Sequence, residues 1–290
     1  MADRDVLPRH KRVQHPPRLR LTERDVKAIL AVHEYRVLRR DQIQRLLFPS
    51  KNTANHRLSR LYQHRFLARR WREVEYGQGM GQALYLLDER GADVAVQRLG
   101  IDHSQIRWRE THNHVGSPFL EHMLMVNEVR IAFTLAARTE GYSIEKWVGE
   151  EKLKASRDYV YVSAPGQARR RVAIIPDGYF VLNLGDKRAH FFLEVDRATQ
   201  PHRRWMQRVR AYMSYVHSGR YSERFGTHSL RVLTVTTGPR RLTNLRRTTE
   251  EAGGGCMFWF TTLAQAQPRG ILSFPVWQVA TQPETARLAL

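Results

Sequence analysis

Residues 173–199, AIIPDGYFVLNLGDKRAHFFLEVDRAT, constrain the fold more than any other stretch of the chain. Two strand-like runs rich in Ile, Phe, Leu and Val flank NLGDKR, which has the composition of a hairpin turn. Both runs carry acid. Asp177 follows Pro176 in the first, and Glu194 and Asp196 interrupt the second. Side chains alternate along a strand, so Glu194 and Asp196 share one face, opposite Leu193 and Val195. Two carboxylates on one face of a half-buried strand repel each other unless a cation or hydrogen-bond donors balance them. Asp177 comes close to them across the hairpin. Two sources of balance are open. A hard divalent cation, Mg²⁺ or Mn²⁺, takes carboxylates plus water and activates that water towards a phosphodiester. Alternatively, Asp177 is a turn acid, and Glu194 and Asp196 pair with arginines of the following helix.

The flanking pattern is that of an α/β domain. SPFLEHMLMVNEVRIAFTLAART reads as a long helix stopped by Gly141 and apolar nearly all round, as expected of a helix packed on a sheet. Glu121 and Glu128 lie on nearly the same face of it. Strands are expected in YSIEKWVGE, RRVAIIPDGYFVLN and RAHFFLEVDRA. HRRWMQRVRAYMSYVHSG then reads as a helix, LRVLTVTT as a strand, RRLTNLRRTTEEAG as a helix and CMFWFTTL as a strand. Residues 117–265 are thus expected to form an α/β domain, with 266–290 as a C-terminal tail. Phe191, Phe192, Trp205, Tyr212 and Tyr215 are expected in its core rather than as base-stacking platforms.

The N-terminal part is organised differently. Residues 1–20, rich in Pro, Arg and His, read as a flexible basic arm. From 21 to 100 come LTERDVKAILAVHEYRVL, with Thr22 as N-cap, then RRDQIQRLLFPS and SKNTANHRLSRLYQHRFL, three helical segments. LARRWREVEY, GQGMGQ and ALYLLD follow as a β-hairpin. Three short helices and a hairpin resemble a winged helix-turn-helix, whose third helix enters the major groove. Ala54, Leu58, Leu61 and Tyr62 form the inward face of that helix. Lys51, Asn52, Asn55, His56, Arg57, Ser59 and Arg60 supply the side-chain types that read DNA, and Arg69, Arg70 and Arg72 make the wing basic. The bland alternative is the solvated side of an amphipathic helix. Residues 101–116 read as a connector. His112 and His114 have metal-ligand spacing but lack a third ligand.

The charge balance agrees with a nucleic-acid partner. Among 290 residues, 48 Lys and Arg stand against 28 Asp and Glu, a net charge of +20. Such an excess favours a polyanion, although an Arg-rich proteome also raises it. A single cysteine, Cys256, excludes an internal disulfide or a cysteine-built zinc site. No apolar run reaches the length of a membrane span, and the N-terminus has no apolar signal region, so a cytoplasmic protein without membrane partners is expected.

The order Glu121 on a helix, Pro176-Asp177, then Glu194-x-Asp196 resembles the PD-(D/E)XK, or restriction-endonuclease-like, superfamily. One position departs, since Asp196 stands where that superfamily usually has Lys. Three readings follow: Arg197, Arg203 or Arg204 substitutes, Asp196 is a further metal ligand, or the domain is inactive. Winged helix, FLEHMLMVNEV, IPDGYF and FFLEVDRAT together resemble the replication-relaxation family of plasmids and integrative elements and the related mobilisation relaxases, over residues 20–262. In that group the Glu-x-Asp-Arg form is common. The resemblance implies a two-domain α/β (α+β) protein: a winged helix-turn-helix followed by a nuclease-like domain, built on a central mixed sheet, that nicks DNA in replication or mobilisation. Asp177, Glu194 and Asp196 would ligate Mg or Mn, with Glu121 and Arg197 completing the catalytic set. Double-stranded DNA is the expected partner, with single-stranded DNA at an origin and a second copy of the chain as further candidates. The other reading is a non-catalytic origin-binding or transcription regulator. Tyr159, Tyr161 and Tyr179 suggest a covalent tyrosine relaxase, but the paired histidines that such a tyrosine needs are not visible.

Overall fold

The computed structural model describes residues 8, 10–71, 81–106, 117–163 and 168–289. The chain divides into two compact units, Met1–Glu128 and Val129–Leu290. Among the described residues no helix is long and apolar enough to cross a membrane.

In the first unit, helix α1 (Glu23–Tyr35) starts at a reciprocal cap. Thr22 Oγ1 accepts from the Asp25 amide at 3.3 Å, and Asp25 Oδ2 accepts from the Thr22 amide at 2.7 Å. The sequence pattern carries this helix to Leu38. The structure ends it at Tyr35, because Arg36 adopts φ 69° and the chain turns into β1 (Val37–Arg39). Then come α2 (Arg40–Leu47), α3 (Lys51–Gln63), β2 (Leu67–Trp71), β3 (Ala83–Leu87), α4 (Glu89–Leu99) and α5 (His103–Ile106). Strands β1, β3 and β2 form an antiparallel sheet with β3 in the centre. Val26, Ile29 and Val32 of α1, the expected Ala54, Leu58 and Leu61 of α3, and all of β3 are buried. At Gly91 a Cβ would lie 2.0 Å from the Phe66 carbonyl oxygen, so glycine is what lets α4 approach the start of β2 this closely.

Helix α6 (Ser117–Thr139) continues across the boundary between the units. Its first half belongs to the first unit rather than to the α/β domain expected from residue 117. There Asn127 Nδ2 donates to the carbonyls of Tyr35 at 3.0 Å and Val37 at 2.7 Å, fixing the α1–β1 turn. Glu128 accepts from Arg39 at 2.8 Å, from Arg45 at 2.6 Å and from Gln42 at 3.0 Å.

The basic arm is not a loose tail over residues 10–20. Arg12 donates to the Tyr62 carbonyl at 2.9 Å and pairs with Asp88, and its guanidinium lies 4.7 Å from the Tyr62 ring centre. Gln63 accepts from the Val13 amide and donates to the Lys11 carbonyl. Arg57 and Arg60 donate to the carbonyls of Arg20 and Arg18. Apart from Arg12, the arm contributes backbone groups to these bonds, the Val13 amide and the carbonyls of Lys11, Arg18 and Arg20, which leave no mark on its composition.

The second unit contains β4 (Ser143–Gly149), α7 (Glu150–Ala155), β5 (Asp158–Val162), β6 (Arg170–Ile174), β7 (Gly178–Asn183) and β8 (Arg188–Asp196). After these come α8 (His202–His217), α9 (Arg220–Phe225), β9 (Arg231–Thr236), α10 (Pro239–Glu251), β10 (Phe258–Thr262), β11 (Trp277–Val279) and β12 (Thr285–Ala286). Among the described residues seven strands form one mixed sheet in the order β12-β11-β10-β9-β8-β7-β4, with β8, β9 and β10 parallel. The expected central mixed sheet is therefore present. The presumed tail at 266–290 instead supplies two antiparallel edge strands, anchored by buried Trp277. Those strands are too short for their alternation to be read in sequence.

The alternation along β8 sorts the layers. Phe191 stacks on Phe180, which meets Phe133 of α6, at centroid distances of 4.9 Å in both cases. Phe192 faces the other way, into Tyr212, Tyr215 and Tyr221 of α8 and α9. All the aromatics expected in the core are buried. Helices α8 and α10 share this second face, where Trp205 Nε1 donates to Thr249 Oγ1 at 2.9 Å.

Asp25 is wholly buried and paired with Arg57. Burial pushes its carboxyl up, but hydrogen bonds from Arg57 and Thr22 outweigh that and hold it below the usual range. Asp25→Ala removes both the cap and the partner of Arg57, and its expected cost is about 3 kcal/mol by urea denaturation at neutral pH. A folded-state pKa below the unfolded one gives stability that is present above the unfolded value and lost as pH falls through the folded one. The mutant's deficit should therefore shrink in acid.

Candidate functional site

The acids of β7–β8 come together as the hairpin requires. The Asp177 amide donates to the Leu193 carbonyl at 3.0 Å, and Asp177 Oδ2 accepts from the Val195 amide at 2.7 Å. The carboxylate is thus tied across the hairpin, beside Glu194. Glu194, 2% exposed, points into the α8 layer on the same face as Phe192. One of its oxygens accepts from Arg208 and the other from the Tyr212 hydroxyl. Asp196 ends the strand on that face. Arg241 of α10 grips it with two bonds, Nε to Oδ2 at 2.8 Å and Nη2 to Oδ1 at 2.9 Å, while Thr236 Oγ1 and the Ala198 amide also donate to Oδ2. Arg241 is held in turn by the Gln200 carbonyl at 2.8 Å. A planar guanidinium suits this two-point grip of a carboxylate.

The electrostatics of the two acids differ. At Asp196, burial raises the carboxyl, but Arg241 and Thr236 prevail and hold it below its ordinary range. At Glu194 burial dominates and pushes the carboxyl up to about 7. Arg208 opposes the shift and the neighbouring Asp177 charge adds to it. The same enclosed layer raises the Tyr212 hydroxyl well above its usual value, first by burial and then by the Glu194 charge.

These residues do not fit a divalent metal as they stand. Both oxygens of Glu194 and both of Asp196 already accept hydrogen bonds, four of them from arginine or backbone donors that a metal would have to displace. Thr234, opposite Glu194 in register, has a buried hydroxyl without a partner among the described residues, but a neutral hydroxyl is a weak ligand beside a carboxylate. Among the described residues no three Asp, Glu, His or Cys side chains converge to hold a metal ion. The expected set of Asp177, Glu194 and Asp196 is therefore a pair of acids, Asp177 and Glu194, with Asp196 separately engaged by Arg241. Arg197 is half-buried just beyond β8, and Glu121 is half-buried on α6 in the first unit. Arg203 and Arg204, expected as stand-ins for the missing lysine, are not the partners of the acids.

Sequence reading missed Arg208, Tyr212, Thr236 and Arg241. One signal was available. Trp205, Arg208, Val209, Tyr212 and Tyr215 occupy one helical stripe, and a lone arginine in an otherwise apolar and aromatic stripe implies a buried acid opposite it. Nothing comparable marks Arg241.

In the first unit, Ser50 caps α3 by accepting from the Thr53 amide at 3.2 Å. Lys51, Asn52, Asn55 and His56 are exposed along the first two turns, while Ser59, Arg60 and Arg70 are half-buried. Arg57 departs from its expected role at a DNA surface, because its guanidinium is committed to Asp25, with Nε 2.9 Å from Oδ1. Arg69 lies 4.1 Å above the Tyr62 ring. Arg72, the turn of the expected wing, His112 and His114 lie outside the described residues, and His103 is 3.6 Å from Asp93.

The family model described as replication-relaxation matches residues 30–230. The chain belongs to the replication-relaxation family. No curated protein matches it. Two solved structures, restriction endonuclease FokI and the same enzyme bound to DNA, align with 84% and 86% of this chain at 10% and 12% identity. Their TM-scores are 0.28 and 0.27, and this chain spans 42% and 45% of their length, a correspondence too loose to place any residue. The family match includes the acids of β7–β8 and Arg208, and stops short of Arg241.

The raised Glu194 carboxyl has a direct consequence for stability. The folded state keeps its proton up to about 7 whereas the unfolded chain releases it near 4.5, so this contribution is fully present below pH 4.5 and is lost as pH rises through about 7. Glu194→Gln removes the dependence. Its melting temperature should gain on wild type between about pH 5 and about pH 8, and a difference that stays constant over that window would mean that the glutamate is charged throughout.

Proposed function

We propose that the chain is a DNA-binding protein of plasmid or integrative-element replication or mobilisation, and that its α/β unit is a non-cutting, nuclease-like platform. The observation that carries the second half is the arginine closure of the acid site. Arg208 on Glu194 and Arg241 on Asp196 supply, from the chain itself, the positive charge that a metal would bring. A guanidinium stays protonated and neither ionises water nor leaves. Glu194, raised towards neutrality by burial, is weaker still as a ligand.

DNA binding is assigned to the first unit. Its order α1-β1-α2-α3-β2-β3, with β3 between β1 and β2, supports a winged-helix reading. So does the exposed amino-terminal half of α3, where Asn52 and Asn55 have the amide geometry that pairs with adenine, and Lys51 and His56 suit phosphate. Arg57 and Arg60 serve this surface indirectly, by fastening the arm beside it. The excess of 48 basic over 28 acidic residues adds the salt-sensitive part of the affinity. Membership of the replication-relaxation family supports replication or mobilisation as the setting of that binding.

Two measurements test the two halves. In duplex binding followed by anisotropy, Asn52→Ala and Asn55→Ala should each weaken the preferred site by about tenfold and leave random duplex little changed. Unchanged binding in both variants would remove α3 as the reader. Supercoiled plasmid incubated with Mg²⁺, Mn²⁺ or chelator should stay uncut, with binding equal in all three. Metal-dependent nicking by wild type that disappears in Asp177→Ala would replace the platform by a metal-dependent nickase.

A further inference from the structure

Strands β5 and β6 form an antiparallel ribbon outside the main sheet, with Val160 paired to Val172 and Tyr161 to Arg171. Its two faces differ sharply. Val160, Val162 and Ile174 are buried on the side that packs against α8. The other face presents Tyr159, Tyr161 and Arg171, with Arg157 and Arg169 at either end. Tyr161 is 51% exposed, whereas Tyr179, Tyr212, Tyr215 and Tyr221 of the same unit are buried. The Arg171 guanidinium lies 3.6 Å from the Tyr159 ring centre, and that of Arg169 5.0 Å from the Tyr161 ring centre. Arg157 Nε donates to the Tyr159 hydroxyl at 2.5 Å. No acid pairs with Arg157, Arg169, Arg170 or Arg171 among the described residues. The acid of the ribbon, Asp158, is bound by Arg224 and Tyr215.

We propose that this outer face is a stacking surface for the unpaired bases of a DNA single strand. An exposed tyrosine ring flanked by arginines has the two features that such a strand needs, a flat apolar face and unneutralised guanidinium donors. A duplex presents the phosphates but keeps its base faces stacked inside. An acidic polypeptide presents the charge but no flat ring to cover Tyr161. The occupant that uses both features is a single strand, with a base on Tyr161 and phosphates on Arg169 and Arg171. The surface lies in the second unit and uses no residue of α3. It shares with the proposed function only the premise that DNA is the partner.

Anisotropy titrations of the full chain with an oligothymidylate of about 16 nucleotides, an abasic strand of the same length, a duplex and polyglutamate test the assignment. Wild type should prefer oligothymidylate to the abasic strand, and both to polyglutamate. Tyr161→Ala should weaken oligothymidylate about tenfold, leave the abasic strand and duplex unchanged, and be rescued by Tyr161→Trp. Arg171→Ala should weaken oligothymidylate and the abasic strand alike and lower the salt slope by about one unit or less. Equal affinity for the thymidylate and abasic strands, polyglutamate binding as tight as oligothymidylate, or a Tyr161→Ala variant that binds oligothymidylate like wild type would each overturn the proposal. Weakened binding of the preferred duplex site in the Asn55→Ala variant, with single-strand binding intact, separates this surface from the α3 reading.

Discussion

A carboxylate driven into an aromatic layer must find a positive partner or give up its charge, and the second unit is arranged around that condition. Glu194 lies on the central run of parallel strands, on the face covered by α8 and α10, among Phe192, Tyr212 and Tyr215. Desolvating a lone carboxylate there would cost more than any single packing contact returns. Arg208 reaches it from α8, one turn from Tyr212, which supplies the remaining donor. Asp196, one step further along the same face, is met by Arg241 from α10. Each crossover helix of the parallel core therefore carries one arginine to one strand acid, and the positions of α8 and α10 on the sheet are specified by charge as well as by hydrophobic burial.

That arrangement bears on chemistry as much as on stability. A strand acid pair such as Asp177 and Glu194 is the raw material of a metal site, but the identity of the cation beside it decides what it can do. A metal ion exchanges water and polarises it; a guanidinium gives fixed hydrogen bonds and a permanent charge. The same acids can thus support cleavage or only architecture, depending on a residue on a helix far away in sequence. The ion pair Asp25–Arg57 repeats the principle in the first unit, where a residue of helix α3 is withdrawn from the surface to neutralise the cap of α1.

Much of this was legible in the chain. The alternation of residues 188–196 gave the shared face of Glu194 and Asp196, and the hairpin composition brought Asp177 beside them. The inward residues of α3, the long helix α6 and the longer strands of the sheet followed from apolar periodicity, while its mixed character was implied by the family resemblance. Other elements were not legible. Strands β1, β11 and β12 have two or three residues each, below the length at which alternation carries information. The arm at 10–20 docks through carbonyl groups, which every sequence possesses. Tyr159 and Tyr161 stood out in the sequence as nucleophile candidates, but their stacking with Arg171 and Arg169 depends on a ribbon pairing that composition does not announce.

By itself the sequence determined which residues are acidic on which face of β8, and that the chain carries a large positive excess, because strand alternation and charge are local properties. Only the tertiary structure decided what neutralises those acids. Arg208 lies 14 residues from Glu194 and Arg241 lies 45 residues from Asp196, each on a helix whose rotation is set by packing against the sheet. With 48 basic side chains available, sequence alone does not select two of them. The selection is made by which guanidinium the folded backbone brings within hydrogen-bond reach of a carboxylate that has no water left to face.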